Sequence, residues 1–188
     1  MRPAPRSFFS RQDGATTIEF VVVFIAFIGI MFFVVEVTLY LFFMASLEKA
    51  AEAGVRAAVV SDKVVDFPST IATDGGVNGY RCSDPRAKCI SFTAAPCTGG
   101  PCFNGLAFDR ILNHMRGFNG GIQAENVTIT YTDVGIGFAG GPTTPMVTVT
   151  VHGVPFQTGI LGSLLGSASG LATLPTRSAS MTGEDLAQ

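Results

Sequence analysis

Between Phe20 and Val35 the chain reads FVVVFIAFIGIMFFVV, sixteen residues without a charge. Glu36 interrupts the run, and VTLYLFFMASL carries it on to Leu47. With Glu36 tolerated, Phe20 to Phe43 makes an apolar stretch of 24 residues. A bilayer core about 30 Å thick needs roughly 20 helical residues at about 1.5 Å each, so the run predicts a tilted transmembrane helix. Two rival readings fit less well. A buried helix needs a core able to cover a segment that is apolar on every face, which a small domain lacks. A secretory signal peptide has an apolar region of roughly 7–15 residues and ends at a small-residue cleavage site. This run is longer, and helix-forming sequence follows it at once.

That following sequence, SLEKAAEAGVRAAVVSDKV, is rich in Ala, Glu, Lys and Arg, all good helix formers. Leu47, Ala51, Val55 and Ala58 recur every three or four residues and predict a narrow apolar stripe. Glu52 and Arg56 are spaced for a helix-stabilising contact between residues four apart. A continuous helix from Ile18 to Val60 would measure roughly 65 Å. Pro68 and the Gly75–Gly76 pair end any helical reading beyond it.

Ahead of the run stand Arg2, Arg6 and Arg11. They favour a cytoplasmic amino terminus, but Lys49, Arg56 and Lys63 near the other end balance them, so orientation needs another argument. Glu19 adjoins the apolar run in the string G-ATTIE-F, where a carboxylate in hydrocarbon costs from roughly 2.5 kcal/mol upward unless it lies at headgroup level. A cut after Gly14 would place the new ammonium of Ala15 close to that carboxylate. In an assembly, one subunit's ammonium would meet a neighbour's carboxylate and lower the cost of burial.

The segment RQDGATTIEFVVVFIAFIGIMFFVVEVTLYLFFMASLEKAAEAGVRAAVV resembles the TadE-like family of pilus assembly proteins. The resemblance rests on a basic, Gly-containing leader and on the Glu19–Phe20 pair that opens the helix. A second Glu at position 36 and the Ala-Gly-Val-Arg-Ala-Ala string complete it. It covers roughly residues 11–60, and the remainder only in general character. It implies cutting by a prepilin peptidase between Gly14 and Ala15, which would leave 174 of the 188 residues. It also implies assembly roles for Glu19, Glu36, Gly54 and Arg56. Glu19 and Glu36 are 17 positions apart, roughly 100° around a helix, so they form no carboxylate pair within one chain. Each would seek a partner in another subunit or at a polar interface.

Residues 61–188 are expected to form a small, loop-rich head. Cys82, Cys89, Cys97 and Cys102 lie within 21 residues and suggest one or two disulfides, with all three complete pairings open. Zinc is the rival, but the spacing C-x6-C-x7-C-x4-C lacks the tight C-x2-C pairs of common sites. Disulfides persist outside the cytoplasm, which makes the carboxyl-terminal domain periplasmic or extracellular. In FNGLAFDRILNHMRGF, residues Phe108, Ile111, Leu112, Met115 and Phe118 form the apolar face of a short helix. Asn126 to Thr132 and Met146 to Val151 alternate as strands, joined through Gly140-Gly141-Pro142 as a long-looped hairpin. A third strand is expected between Ala172 and Met181, because two strands alone are marginal. The fold class is therefore α+β: a long amino-terminal transmembrane helix with a small disulfide-containing head, pilin-like.

Functional classes narrow quickly. A net charge of -2 with 14% charged residues argues against a nucleic-acid binder. GILGSLLGSASG, 159–170, lacks the G-K-[ST] ending of a phosphate loop, and the Asn126-Val127-Thr128 glycosylation triplet is of a kind common by chance. The two histidines have no catalytic partners in sequence: His114 reads as a structural residue among apolar neighbours, and His152 as a turn residue after a strand. No enzyme, metal or cofactor is implied. The resemblance implies a minor pilin or pilin-like component of a tight-adherence (type IVb-like) pilus. Its partners would be pilin and other TadE-like subunits, prepilin peptidase, the inner-membrane assembly platform and the lipid bilayer. The other reading is a permanently anchored periplasmic assembly factor or binding module.

Overall fold

One helix, α1, runs from Ala15 to Val60, 46 residues, in the computed structural model. The structure describes residues 15–99, 102–157 and 171–183. The chain divides into two units, residues 1–40 with 158–170 and residues 41–157 with 171–188.

In the first unit the described part is the amino-terminal portion of α1. Every described side chain from Thr17 to Val35 is exposed. Phe20 stacks on Phe24 one turn later, with ring centroids 5.9 Å apart. Thr38 donates its hydroxyl to the Val34 carbonyl at 2.8 Å, which satisfies the polar atom within the helix itself. With a mean hydropathy of 2.9 over its most apolar stretch, α1 is long and apolar enough to cross a bilayer.

The second unit contains a different kind of helix surface on the same element. Leu47, Ala50, Ala51, Val55, Ala58 and Val59 are all buried. The predicted stripe is thus the core-facing side of α1, widened by two residues. The helix stops at Val60, well ahead of Pro68, and Ser61 donates its hydroxyl back to the Ala57 carbonyl at 2.6 Å. Lys49 reaches Glu52 at 2.9 Å, so the carboxylate expected to meet Arg56 is engaged one turn earlier on the same helix.

Four strands form an antiparallel sheet in the order β1-β2-β3-β6: Cys97–Thr98, Val127–Asp133, Pro145–Val151 and Arg177–Thr182. The β2–β3 hairpin pairs Val127 with Val151, Ile129 with Val149 and Tyr131 with Val147, all buried. The alternate positions pair Thr128 with Thr150 and Thr130 with Thr148 on the opposite face. Period-two alternation of Val and Thr is what fixes this register, because a slip of one residue would turn every valine outward. Each fully buried Val or Ile contributes roughly 1.5–3 kcal/mol. A separate two-stranded pair joins β4, Pro155–Gln157, to β5, Leu171–Thr173. The expected third strand is present as β6, beginning at Arg177 rather than Ala172.

Helix α2, Gly105–Arg116, is capped by Asn104, whose side-chain oxygen accepts from the Ala107 N–H at 3.1 Å. It buries Ala107, Phe108, Ile111, Leu112 and Met115. Phe118, expected on that face, is 53% exposed, the helix having ended at Arg116. Beyond it, buried Asn119 donates to Ser46 Oγ at 2.9 Å and accepts from the Gly121 N–H at 3.0 Å, tying the end of α2 to α1.

Candidate functional site

The residues singled out by sequence fall into three groups, and the fold treats each differently. Glu19 lies in the second turn of α1 and is exposed, as is Phe20 beside it. Glu36 is half-buried. Along α1 the two carboxylates stand about 25 Å apart and form no pair within one chain. Ala15 opens α1, whereas Gly14 and the leader lie outside the described residues.

Gly54 and Arg56 sit together in sequence but face different surroundings. Gly54 is buried where α1 meets Met115 of α2 and Val149 of β3. A Cβ there would stand 2.7 Å from Met115 Sδ, 2.9 Å from Met115 Cγ and 3.2 Å from Val149 Cγ1. The glycine allows this approach, with its lack of a side chain mattering more than its backbone freedom. Arg56 is exposed on the other side and lines an open cleft of about 510 Å³ with Ala57, Val60, Ser61, Arg110 and His114. His114 is therefore exposed at the rim of the apolar face of α2, about 90° from its centre, and not enclosed by apolar neighbours. Arg110 escaped sequence reasoning. Its only signal is its position four residues before His114 on a helix, which aligns the two.

All four cysteines are paired, Cys82 with Cys89 and Cys97 with Cys102, with Cα separations of 5.4 and 5.6 Å. The open choice of connectivity is thereby closed, and the thiolates a zinc site would need are consumed. In the first loop, Asp84 accepts from the Arg86 backbone N–H at 2.9 Å and from its guanidinium at 3.1 Å. Those bonds hold the Asp84 carboxyl below its usual range. The same guanidinium lies 4.4 Å from the centroid of the Tyr80 ring. In the second, Gly99 has φ +51°, and its Cα abuts the Glu125 backbone so closely that a Cβ would lie 2.6 Å from Glu125 Cα. Cys97 belongs to β1, and Cys102 stands two residues before the Asn104 cap, so the bridge ties the sheet edge to the start of α2.

The remaining polar groups are structural in their contacts. His152 Nε2 lies 3.1 Å from Thr128 Oγ1, which in turn is 2.8 Å from Thr98 Oγ1, on one face of the sheet. Buried Tyr131 accepts from the Val64 N–H at 3.4 Å. Burial pushes its phenol up, and that hydrogen bond opposes the shift only in part. Among the described residues no group of three or more His, Cys, Asp or Glu is placed to hold a metal ion.

A helix apolar on every face, followed without a break by turns that pack into a disulfide-clipped head, is the arrangement to compare with known families. Residues 14–56 match the TadE-like protein family. The TadE-like segment covers the apolar part of α1 and ends at Arg56, taking in Glu19, Glu36, Gly54 and Arg56. The sheet, α2 and both disulfides lie beyond it. No curated protein and no solved structure matches the chain. The chain is thus a membrane-anchored protein with a TadE-like segment, consistent with a part in pilus assembly.

Proposed function

We propose that this protein is a minor pilin or pilin-like structural component required to assemble a tight-adherence pilus. One observation carries the reading: from Thr17 to Val35, within the TadE-like match, every described side chain of α1 is exposed. A rod with no polar flank is matched to lipid, and equally to a bundle of sister helices, so it can exchange one for the other. In this reading, prepilin peptidase cuts between Gly14 and Ala15. The subunit waits in the inner membrane with its head in the periplasm, where the Cys82–Cys89 and Cys97–Cys102 bridges persist. The new Ala15 ammonium then meets the Glu19 carboxylate of a neighbour, and that pairing limits the cost of burying either charge. Glu36 is assigned an assembly role in this reading, since acids within membrane segments commonly mark functional contacts.

Mass analysis of the protein from membranes and from sheared pili tests this directly. The expected amino terminus is Ala15, and the expected location includes the pilus fraction. A start upstream of Ala15, with the protein confined to membranes, would instead identify an anchored assembly factor. Glu19→Ala is expected to insert normally but to fall at least tenfold in the pilus fraction. Normal incorporation of that variant would defeat the charge role given to Glu19.

A further inference from the structure

The cleft beside Arg56 is not explained by anything in the fold. Three of its lining residues, Arg56, Ala57 and Val60, come from the last turns of α1, Ser61 follows directly after it, and Arg110 and His114 come from α2. No hydrogen bond and no ion pair within 4 Å engages either guanidinium among the described residues; Glu52, one turn before Arg56, is hydrogen-bonded to Lys49 and feels the Arg56 charge only at longer range. Two guanidinium groups and an imidazole therefore border one hollow whose floor holds Val60, an exposed aliphatic side chain at 67%. The carbonyl end of α1, at about half a charge, and the Lys49-paired carboxylate of Glu52 oppose an anion there, against two full positive charges.

We propose that this cleft receives a carboxylate-bearing segment of a neighbouring protein subunit, an Asp or Glu side chain flanked by a small aliphatic residue. The planar forks of Arg56 and Arg110 suit a carboxylate, which each can grip through two parallel N–H···O bonds. Val60 and Ala57 give the flanking methyl groups a surface to cover. A volume of about 510 Å³ holds a few side chains, not a domain. A lipid headgroup is the poorer occupant. Arg56 lies 13 residues beyond Phe43, where the apolar run ends, or about 20 Å along the helix. A bare inorganic anion would leave the aliphatic floor uncovered. That the partner is a subunit of the same assembly rests on the pilus reading above; the recognition chemistry does not.

The chain has only two histidines, so imidazole NMR signals of the full-length protein in detergent micelles separate the cleft from the rest. His114 lines it, and His152 reports from the sheet beside Thr128. The probe is the capped peptide Ala-Glu-Val-Glu-Ala, with Ala-Gln-Val-Gln-Ala as its uncharged counterpart. The expected result is a saturable shift of the His114 signals alone, absent with the Gln peptide. Arg56→Gln and Arg110→Gln are each expected to weaken it at least tenfold; both sites are exposed, and retained near-ultraviolet circular dichroism confirms the fold. Equal shifts with the Gln peptide, or equal shifts of both histidines, overturn the proposal. So does inorganic phosphate, or a bicelle containing phosphatidylglycerol, that saturates the same signals as tightly as the Glu peptide. In cells, Arg110→Glu is expected to lower pilus incorporation at an unchanged membrane level, and full incorporation overturns the assigned partner. Peptide binding by a wild-type protein that never reaches pili would support the cleft and defeat the filament reading alone.

Discussion

Placing a methyl group on Gly54 tests the packing of α1 against the head. Gly54→Ala has two opposed effects. Alanine is favoured over glycine in a helix interior by roughly 0.8–1 kcal/mol. Against this, the new Cβ would stand 2.7 Å from Met115 Sδ and 3.2 Å from Val149 Cγ1, where ordinary contacts run near 3.5–4 Å. Met115 and Val149 are both fully buried, so neither can swing into solvent. Overpacking of this kind costs about 1–3 kcal/mol. The net expectation is a loss of about 1 kcal/mol, read by urea denaturation of the full-length protein in detergent through near-ultraviolet circular dichroism. Met115→Ala alone is expected to cost about 2–5 kcal/mol by leaving a cavity. In the double variant the Gly54 methyl enters the space Met115 vacates, so the two losses should fall short of additive by about 1 kcal/mol or more. Stabilisation by Gly54→Ala together with strict additivity would mean that α1 and Met115 are not in this contact.

Three further outcomes follow from the head. Asn104→Ala removes the side-chain acceptor from the first turn of α2 and is expected to cost about 1 kcal/mol in the same denaturation assay, with Asn104→Asp retaining most of the stability. Tyr131 is expected to ionise above the ordinary phenol range in a spectrophotometric alkaline titration, read as the difference between the protein and its Tyr131→Phe variant, because its phenol is held protonated by burial. Its folded value is raised, so its contribution to stability is whole below the ordinary phenol value of about 10 and is lost as pH climbs through the higher folded one. Cys82→Ser with Cys89→Ser opens a loop whose ends are 7 residues apart and is expected to cost about 2.5 kcal/mol by loop entropy, measured against the intact protein without reductant.

The parts legible in the sequence were those with a strong period or none at all. Residues 20–43 announced a helix because they are apolar at every angle except for Glu36, and β2 and β3 because β-branched or aromatic residues alternate with Thr. The face of α2 was readable through Met115, but periodicity cannot report where a helix stops, so Phe118 was carried one turn too far. Strand β6 reads RSASMT, with no large apolar alternation, since its place at the sheet edge leaves most of it exposed. Its start could not be read from pattern. The two-residue β1 and the β4–β5 pair are too short to leave one. At the candidate site, Arg56 was visible through family resemblance, whereas its association with Arg110 and His114 depends on how two helices distant in sequence pack. Cysteine pairing likewise needed Cα positions.

The burial of Leu47, Ala50, Ala51, Val55 and Ala58 sets a limit on how this protein can be dissected. A soluble fragment begun after Val60, at the apparent border of anchor and head, would discard the layer that covers Met115 and Val149 and leave the valine-lined side of the sheet bare. The workable cut falls nearer Leu41, retaining some twenty helical residues that a border drawn at the end of the helix would discard.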